Sequence, residues 1–465
     1  MAETLLRTLT TSALRLGAIL AFCAVYAQAQ APAASNARAV PVAEVVFPEL
    51  APLLQKAMEQ SPRSIGSNLE VLIARENIRV ARARSLPQAG GNLTYSYARD
   101  QRIDRSEPLM ADKLAYNFSL TQPIYHWGAL KAGTKLSEIA ARATENNVAE
   151  VRRLLLLEIR AAYLRLVVLK ASAAKAAYAH RLALEEEKQV KAQIEAGETP
   201  PASILNAETK VKQARLDLDR AEEDCRYARE SIERLAGIDS LPNESVPSLI
   251  PHIDYPVELV RSMAELHRSD PEQGNFRLAA VQLRLEQEKL NYQIIDKTLR
   301  PKVNFVTGAY QDELSYTGSP ADRARTQSLY GGINITWNVF DGYSTPAQRR
   351  ASRLRQRQLE EERDDRRREI SESVQSLVRQ VDFSARSTAL SEVTLDQYNL
   401  FVRKKAEDIE FGSSAPSEID GITIARDGVL IQAMIQRADL MGRLAELLSA
   451  IGRDPALVLT MPPPP

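Results

Sequence analysis

Histidine and cysteine are scarce. Four His and two Cys in 465 residues leave almost no material for a His/Cys metal centre or a disulfide framework. No phosphate-binding loop, dinucleotide fingerprint or nucleophile elbow occurs, so no catalytic residues, cofactor or metal ligands are expected and an enzyme is disfavoured. Neither sign of charge is in excess: 60 basic side chains balance 60 acidic ones, which gives no general electrostatic pull towards nucleic acid. Long apolar runs are missing too. Beyond the first thirty residues no window holds the ~18 uncharged apolar residues of a membrane helix, which excludes a polytopic helical membrane protein. With only 19 Gly, and 26% of the chain charged, the abundance of Ala, Leu, Glu and Arg reads as long helix.

Arg7 and Arg15 precede an apolar stretch from Leu16 to Val25, and Ala27-Gln28-Ala29 supplies the small residues of a cleavage site. Residues 1–29 therefore read as a secretory signal peptide that is removed on export. A lipid anchor on Cys23 competes, but the bulky Phe22 before it fits such a signal poorly. After cleavage one thiol, Cys225, is left, so the exported chain can form no internal disulfide.

The remainder is duplicated. Gly197 and Gly412, Pro201 and Pro416, Ile204 and Ile419, and Gly237 and Gly452 are separated by a constant 215 positions, as are Tyr125 and Phe340. Each half carries the same order: helix, proline-marked break, two alternating segments, a very long helix, a Gly/Pro turn and a shorter helix.

The alternating segments carry a strand period. Leu114, Tyr116, Phe118 and Leu120 share one face against Ala115, Asn117, Ser119 and Thr121. In the second half Ile333, Ile335, Trp337 and Val339 oppose Gly332, Asn334, Thr336 and Asn338. Leu93, Tyr95 and Tyr97 begin a third such segment, and Val303 to Tyr310 forms a fourth with weaker alternation. Aromatics collect at the ends, at Tyr125, Trp127, Phe340 and Tyr343, as in the interfacial girdle of an outer-membrane barrel. Tyr95, Tyr116, Phe118, Tyr125, Trp127, Ile333, Ile335, Trp337 and Phe340 are thus expected to face lipid or its boundary. Hairpins capping a soluble bundle would show the same alternation. The long, charged connections Ala98 to Lys113 and Gln311 to Ser328, together with the export signal, favour a barrel. Four strands cannot close one, and an open edge in lipid leaves backbone groups unpaired, so several chains must share it. Three chains would supply twelve strands.

Ala129 to Ala196 and Ser344 to Phe411 each read as a single helix, ~100 Å long at 1.5 Å per residue. After the first turn, Ile204, Ala207, Val211, Ala214, Leu218, Ala221, Cys225, Ala228, Ile232 and Leu235 alternate spacings of three and four, a heptad seam in which Cys225 is a small buried hydrophobe. Nine Arg and six acids between Arg349 and Glu369 indicate a helix wetted on two sides. A tube with water inside and outside wants that composition.

Taken together, the chain resembles the TolC family of outer-membrane channel-tunnels. The likeness rests on the duplicated plan, on Phe118-Ser119-Leu120-Thr121-Gln122-Pro123-Ile124-Tyr125 with its partner Ile335-Thr336-Trp337-Asn338-Val339-Phe340-Asp341-Gly342, and on the turns Gly197-Glu198-Thr199-Pro200-Pro201-Ala202-Ser203-Ile204-Leu205 and Gly412-Ser413-Ser414-Ala415-Pro416-Ser417-Glu418-Ile419-Asp420. It implies a mainly α chain with a small antiparallel β part, whose duplicated helical hairpins form a trimeric α-barrel tunnel topped by a twelve-strand transmembrane β-barrel, four strands per chain. The divisions expected are a signal peptide over 1–29, an N-terminal segment over 30–48, a first repeat over 49–237, an equatorial linker over 238–256, a second repeat over 257–452 and a tail over 453–465. Within the repeats, strands are expected near 89–99, 113–126, 302–312 and 328–340, and helices over 129–196, 202–236, 344–411 and 416–451. The resemblance further implies a passive export duct in an outer membrane, the exit of a tripartite efflux pump or type I secretion system, with a periplasmic adaptor and an inner-membrane transporter as partners. By the same resemblance the adaptor docks at tips containing Gly197, Pro201, Ser203, Gly412, Pro416 and Ser417. Glu418 matches a constricting acid at the periplasmic entrance and Asp420 lies beside it, where the family usually carries Leu. Glu418 and Asp420 are equally explained as first-turn acids favoured by the helix dipole. The competing class is a periplasmic coiled-coil scaffold or adaptor with no barrel.

Overall fold

The computed structural model describes residues 40–100, 109–269, 275–315, 323–410 and 417–458. The signal segment with Cys23, the tail beyond Val458, and Gly412 and Pro416 of the second tip turn lie outside the described residues. The principal elements are α1 (Leu50–Gln60), α2 (Pro62–Ala83), β1 (Gln88–Asp100), β2 (Leu109–Tyr125), α3 (Ala129–Glu195), α4 (Ser203–Ala236), α5 (Val257–Ser269), α6 (Phe276–Asp296), β3 (Lys302–Ser315), β4 (Arg323–Thr336), α7 (Ser344–Glu410) and α8 (Ser417–Ala450). The duplication is exact in length where it matters: α3 and α7 both have 67 residues and α4 and α8 both have 34.

Helices pack side by side. Both α2 and α4 lie along α3, α6 and α8 both lie along α7, and α3 also meets α6 and α8. The order across the wall is therefore α2/α4, α3, α6/α8, α7. Polar rungs at seven-residue steps set the register of α2 on α3: Arg82 to Glu138 and Arg75 to Glu145, each 2.9 Å, and the Arg152 guanidinium donating to Asn68 Oδ1 at 2.9 Å. Such exposed rungs each contribute little to stability, but a one-turn slip would misalign all of them. Where α4 ends, Gly237 adopts φ 70°, and a Cβ there would stand 2.3 Å from the Gln60 carbonyl oxygen. Only glycine lets the end of α4 abut the start of α2, so that two shorter helices together run beside one long one.

The dry core lies midway along α3. Leu155, Leu156, Ile159, Tyr163 and Val167 pack with Leu50, Leu54 and Ala57 of α1, Ile232 and Ala236 of α4, Ile250 of the linker, and Met434 and Met441 of α8. Arg160 is buried in the middle of it. Its guanidinium donates to both carboxylate oxygens of Asp454 at 2.7 Å and to Glu44 at 2.9 Å. The short helical turn Ala43–Val46 and the C-terminal Pro455–Val458 turn are thereby tied to the same helix. Two further pins hold the linker: Lys170 Nζ donates to the carbonyls of Asn243 and Val246 at 2.7 and 2.6 Å, and Arg437 donates to that of Ile250.

The strands form one antiparallel sheet in the order β1-β2-β3-β4. Hydrogen bonding continues from β1 to Asp100 and resumes in β2 at Leu109, so the strands run further into the expected connections than the alternation did. At the opposite end β4 stops at Thr336, paired with Lys302, which is short of the expected 340. Pro301 precedes Lys302 and has no N–H to continue the ladder. Trp337 and Phe340 thus lie beyond the strand, and the Trp337 indole donates instead to the Leu299 carbonyl at 3.0 Å.

Candidate functional site

Pairing in an antiparallel sheet places opposed residues on one face. Reading the register across, Tyr95 faces Leu114, Leu93 faces Tyr116 and Gly91 faces Phe118; Phe118 faces Ala309, and Ala309 faces Leu329. One face is therefore mainly apolar across the four strands, with Thr307, Gln311 and Gln327 interrupting it on β3 and β4. Its members are open to the surroundings: Leu93 is 66% exposed, Leu329 88% and Ile333 67%. The other face carries Asn92, Thr94, Asn117, Ser119 and Thr121, together with Asn304, Asn334 and Thr336 on β3 and β4. Hairpins capping a soluble bundle would turn their apolar side onto the helices. Here it is bare.

Strict alternation would put Tyr125 on the polar face with Asn117. A bulge between Pro123 and Tyr125 shifts the register, so that Tyr125 stands opposite Val303, which in turn stands opposite Ile335 on the apolar face. Bulges re-aim side chains at barrel rims in this way. The chain then swings into α3 through two successive left-handed residues, Trp127 (φ 56°) and Gly128 (φ 80°), and into α7 through Gly342 and Tyr343, both at φ 65°. These pairs are 215 positions apart, with the order of Gly and aromatic reversed. A left-handed Trp costs roughly 1–2 kcal/mol; the Trp127 indole offsets this by donating to the Pro301 carbonyl at 2.7 Å and by meeting the Tyr125 ring at 4.9 Å. Phe340 and Tyr343 repeat the aromatic contact at 5.3 Å. His126, beside this corner, shares a 2.8 Å hydrogen bond with Asn304.

Both the sheet and the wall end in free edges on the same two sides. Strands β1 and β4 each have one partner, and α2/α4 and α7 are the outermost helices. Those helices expose apolar stripes: Ile65, Leu69, Leu72 and Ile73 on α2, and Phe383, Leu390, Val393 and Phe401 on α7.

Near the far end, Gly197 closes α3 at φ 75°, and Pro201 and Ser203 open α4. Ser417 and Glu418 occupy the first turn of α8. Asp420 accepts a 2.9 Å hydrogen bond from the Tyr178 hydroxyl of α3, and Arg181 lies 5.0 Å above the Tyr178 ring. Burial, then the bond to Asp420, push the Tyr178 phenol above its ordinary value. The seam thiol Cys225 is half-buried, and burial pushes it up as well, which suits packing rather than reactivity. Among the described residues no three His, Cys, Asp or Glu side chains gather in metal-binding geometry, and no helix is long and apolar enough to cross a membrane. Sequence reasoning missed Arg160, Glu44 and Asp454, as well as Tyr178. The available signal for the first was an arginine at helical spacing from Leu156, Tyr163 and Val167.

The family model for outer membrane efflux proteins matches residues 53–238 and 269–453, one match per repeat. The chain belongs to the outer membrane efflux protein family. It is accordingly an outer-membrane efflux duct and not an enzyme. The fold is shared with solved channels of low identity. The open-state MtrE outer membrane channel of Neisseria gonorrhoeae is 16% identical with a TM-score of 0.63, covering 91% of this chain and 94% of that one. The CmeC outer membrane channel of Campylobacter jejuni is 11% identical with a TM-score of 0.65, covering 87% and 86%. The outer membrane protein VceC of Vibrio cholerae is 15% identical with a TM-score of 0.59, covering 88% and 97%. No curated protein sequence matches.

Proposed function

We propose that three copies assemble side by side, closing twelve strands into a barrel in the outer membrane and the helical walls into a water-filled tube. The observation that carries this is the coincidence of edges: β1 with α2/α4 on one side, β4 with α7 on the other. A second copy placed there completes both layers at once, hiding backbone groups that lipid cannot hydrate and covering the apolar stripes of α2 and α7. The apolar face then meets lipid and the polar face lines the lumen. The duct serves as the exit of a tripartite efflux pump or type I secretion system. A periplasmic adaptor engages the tips around Gly197, Pro201, Ser203, Gly412, Pro416 and Ser417, and an inner-membrane transporter supplies the cargo.

At the tips Glu418 and Asp420 would meet their symmetry copies near one axis, where like charges resist tight closure and draw cations. The Tyr178 bond to Asp420 holds α8 to α3 within one chain, so breaking it would free the entrance-forming end of α8. Single-channel recording in planar bilayers tests the reading. A cation-selective pore whose selectivity falls in Glu418→Ala plus Asp420→Ala is expected. Unchanged selectivity removes the two acids from the constriction, and absence of any conductance from the native protein removes the duct.

A further inference from the structure

Although the whole chain is electrically balanced, its charge is not evenly spread along the tube. Lateral contacts define levels across the wall: Arg82 stands beside Glu138, the Asn146 side chain reaches the Phe276 carbonyl, and Arg349 stands beside Asp296. With a common rise per residue, positions 82, 138, about 287 and about 357 share one level. Between that level and the sheet, residues 82–87, 126–138, 287–302 and 341–357 contain thirteen Lys and Arg against four Asp and Glu. The tip segments 183–212 and 400–428 show the opposite balance, eight basic against twelve acidic.

All four acids of the upper level are already engaged. Glu138 pairs with Arg82, Asp296 with Lys297 and Arg349, Glu288 accepts from Ser352 and Asp341 from Thr345. By contrast Arg84, Arg350, Arg355 and Arg357 are exposed and have no acidic partner among the described residues. The side on which this charge begins is fixed by the rim. Tyr125 lies on the apolar face opposite Val303 and touches Trp127; the Arg300 guanidinium stacks 5.0 Å above that indole; and Asp296 links Arg300, at 3.8 Å, to Arg349, at 3.0 Å.

We propose that these helix ends form a basic collar that binds the anionic head groups of phospholipids in the periplasmic leaflet. The collar rests on the reading that the sheet lies in the membrane. Basic side chains held at the boundary of an anionic leaflet bind it through charge attraction that salt screens. An Arg on an indole at that depth keeps its aliphatic stem in the apolar zone and its guanidinium among phosphates.

Both Trp residues of the chain, Trp127 and Trp337, sit at this rim and report on the lipids beside it. The full-length protein is reconstituted in vesicles, and Trp fluorescence is quenched with brominated phosphatidylglycerol or brominated phosphatidylcholine at equal mole fraction. About fivefold preferential association of phosphatidylglycerol at low salt, the effect of roughly one basic side chain near an anionic surface, is expected to fade in high salt. R84Q/R350Q/R355Q/R357Q, which breaks no ion pair among the described residues, is expected to abolish it. Equal quenching by the two lipids in the native protein overturns the collar. So does an undiminished preference in the quadruple variant, or a variant that changes only the pore's anion selectivity, which would place the charge in the lumen. Quenching by neither lipid would instead count against the membrane sheet itself.

Discussion

The equator and the tip of the tube are built from the same four helices and held in opposite ways. At the equator Leu155 to Val167 of α3 is wrapped by α1, α4, α8 and the linker, and the buried Arg160 joins both ends of the described chain to it. Towards the tip the same helix has one neighbour on each side, joined among the described residues by an alanine-rich seam, the exposed Lys210–Glu186 ion pair and the Tyr178–Asp420 bond. Burial on all sides makes a fixed ring, whereas sparse polar contacts leave a free energy of opening that a binding partner can supply. The proposed duct, sealed in the membrane and opened at one end by an adaptor, would need that asymmetry.

Four substitutions or conditions sharpen it, from the largest effect to the smallest. Arg160→Ala leaves Asp454 and Glu44 without their cation in the dry core; a loss of about 3–5 kcal/mol is expected, read as a fall in the temperature at which purified protein unfolds or as failure to accumulate. Gly237→Ala forces a Cβ against the Gln60 carbonyl at a positive φ, and about 2–3 kcal/mol should be lost by the same assay. If either variant were as stable as the native chain, the equator would not be the fixed ring.

Acid should act at the equator third. Hydrogen bonds from Arg437 hold the Glu392 carboxyl below its ordinary 4.5 against the opposing effect of burial. Its folded value is depressed, so its contribution is present above about pH 4.5 and is lost as pH falls through the lower folded value, by linkage. Thermal unfolding from pH 7 down to 3.5 should show this loss, and Arg437→Gln should flatten that part of the profile. Last, Tyr178→Phe should change unfolding by less than about 1 kcal/mol while raising the open probability of single channels. A large stability loss with unchanged gating would reverse the proposed division of labour.

Much of this was legible because period and spacing are local. The alternation of Leu114 to Thr121 and of Ile333 to Thr336, the uninterrupted helices and the 215-residue offset all survive into the structure. Features that depend on distant partners were not legible. Arg160 is unremarkable until Glu44 and Asp454, more than a hundred positions away on either side, close on it. The grouping of aromatics places Tyr125 at the lipid boundary, but the bulge at Pro123 that re-aims it to stand opposite Val303 has no signature in alternation. Trp337 and Phe340 continued the pattern of β4 on paper, yet the missing N–H of Pro301 ends the ladder before them. At the tip, Asp420 was noticed as a charge near an entrance, but its bond to Tyr178 connects residues 242 positions apart.

The most direct test is the subunit count of protein extracted from the outer membrane and held in lipid nanodiscs, seen by electron microscopy. Three chains around one sealed cylinder, with β1 of each copy paired to β4 of the next, are expected; a single chain with both edge strands open to lipid would contradict the proposed duct.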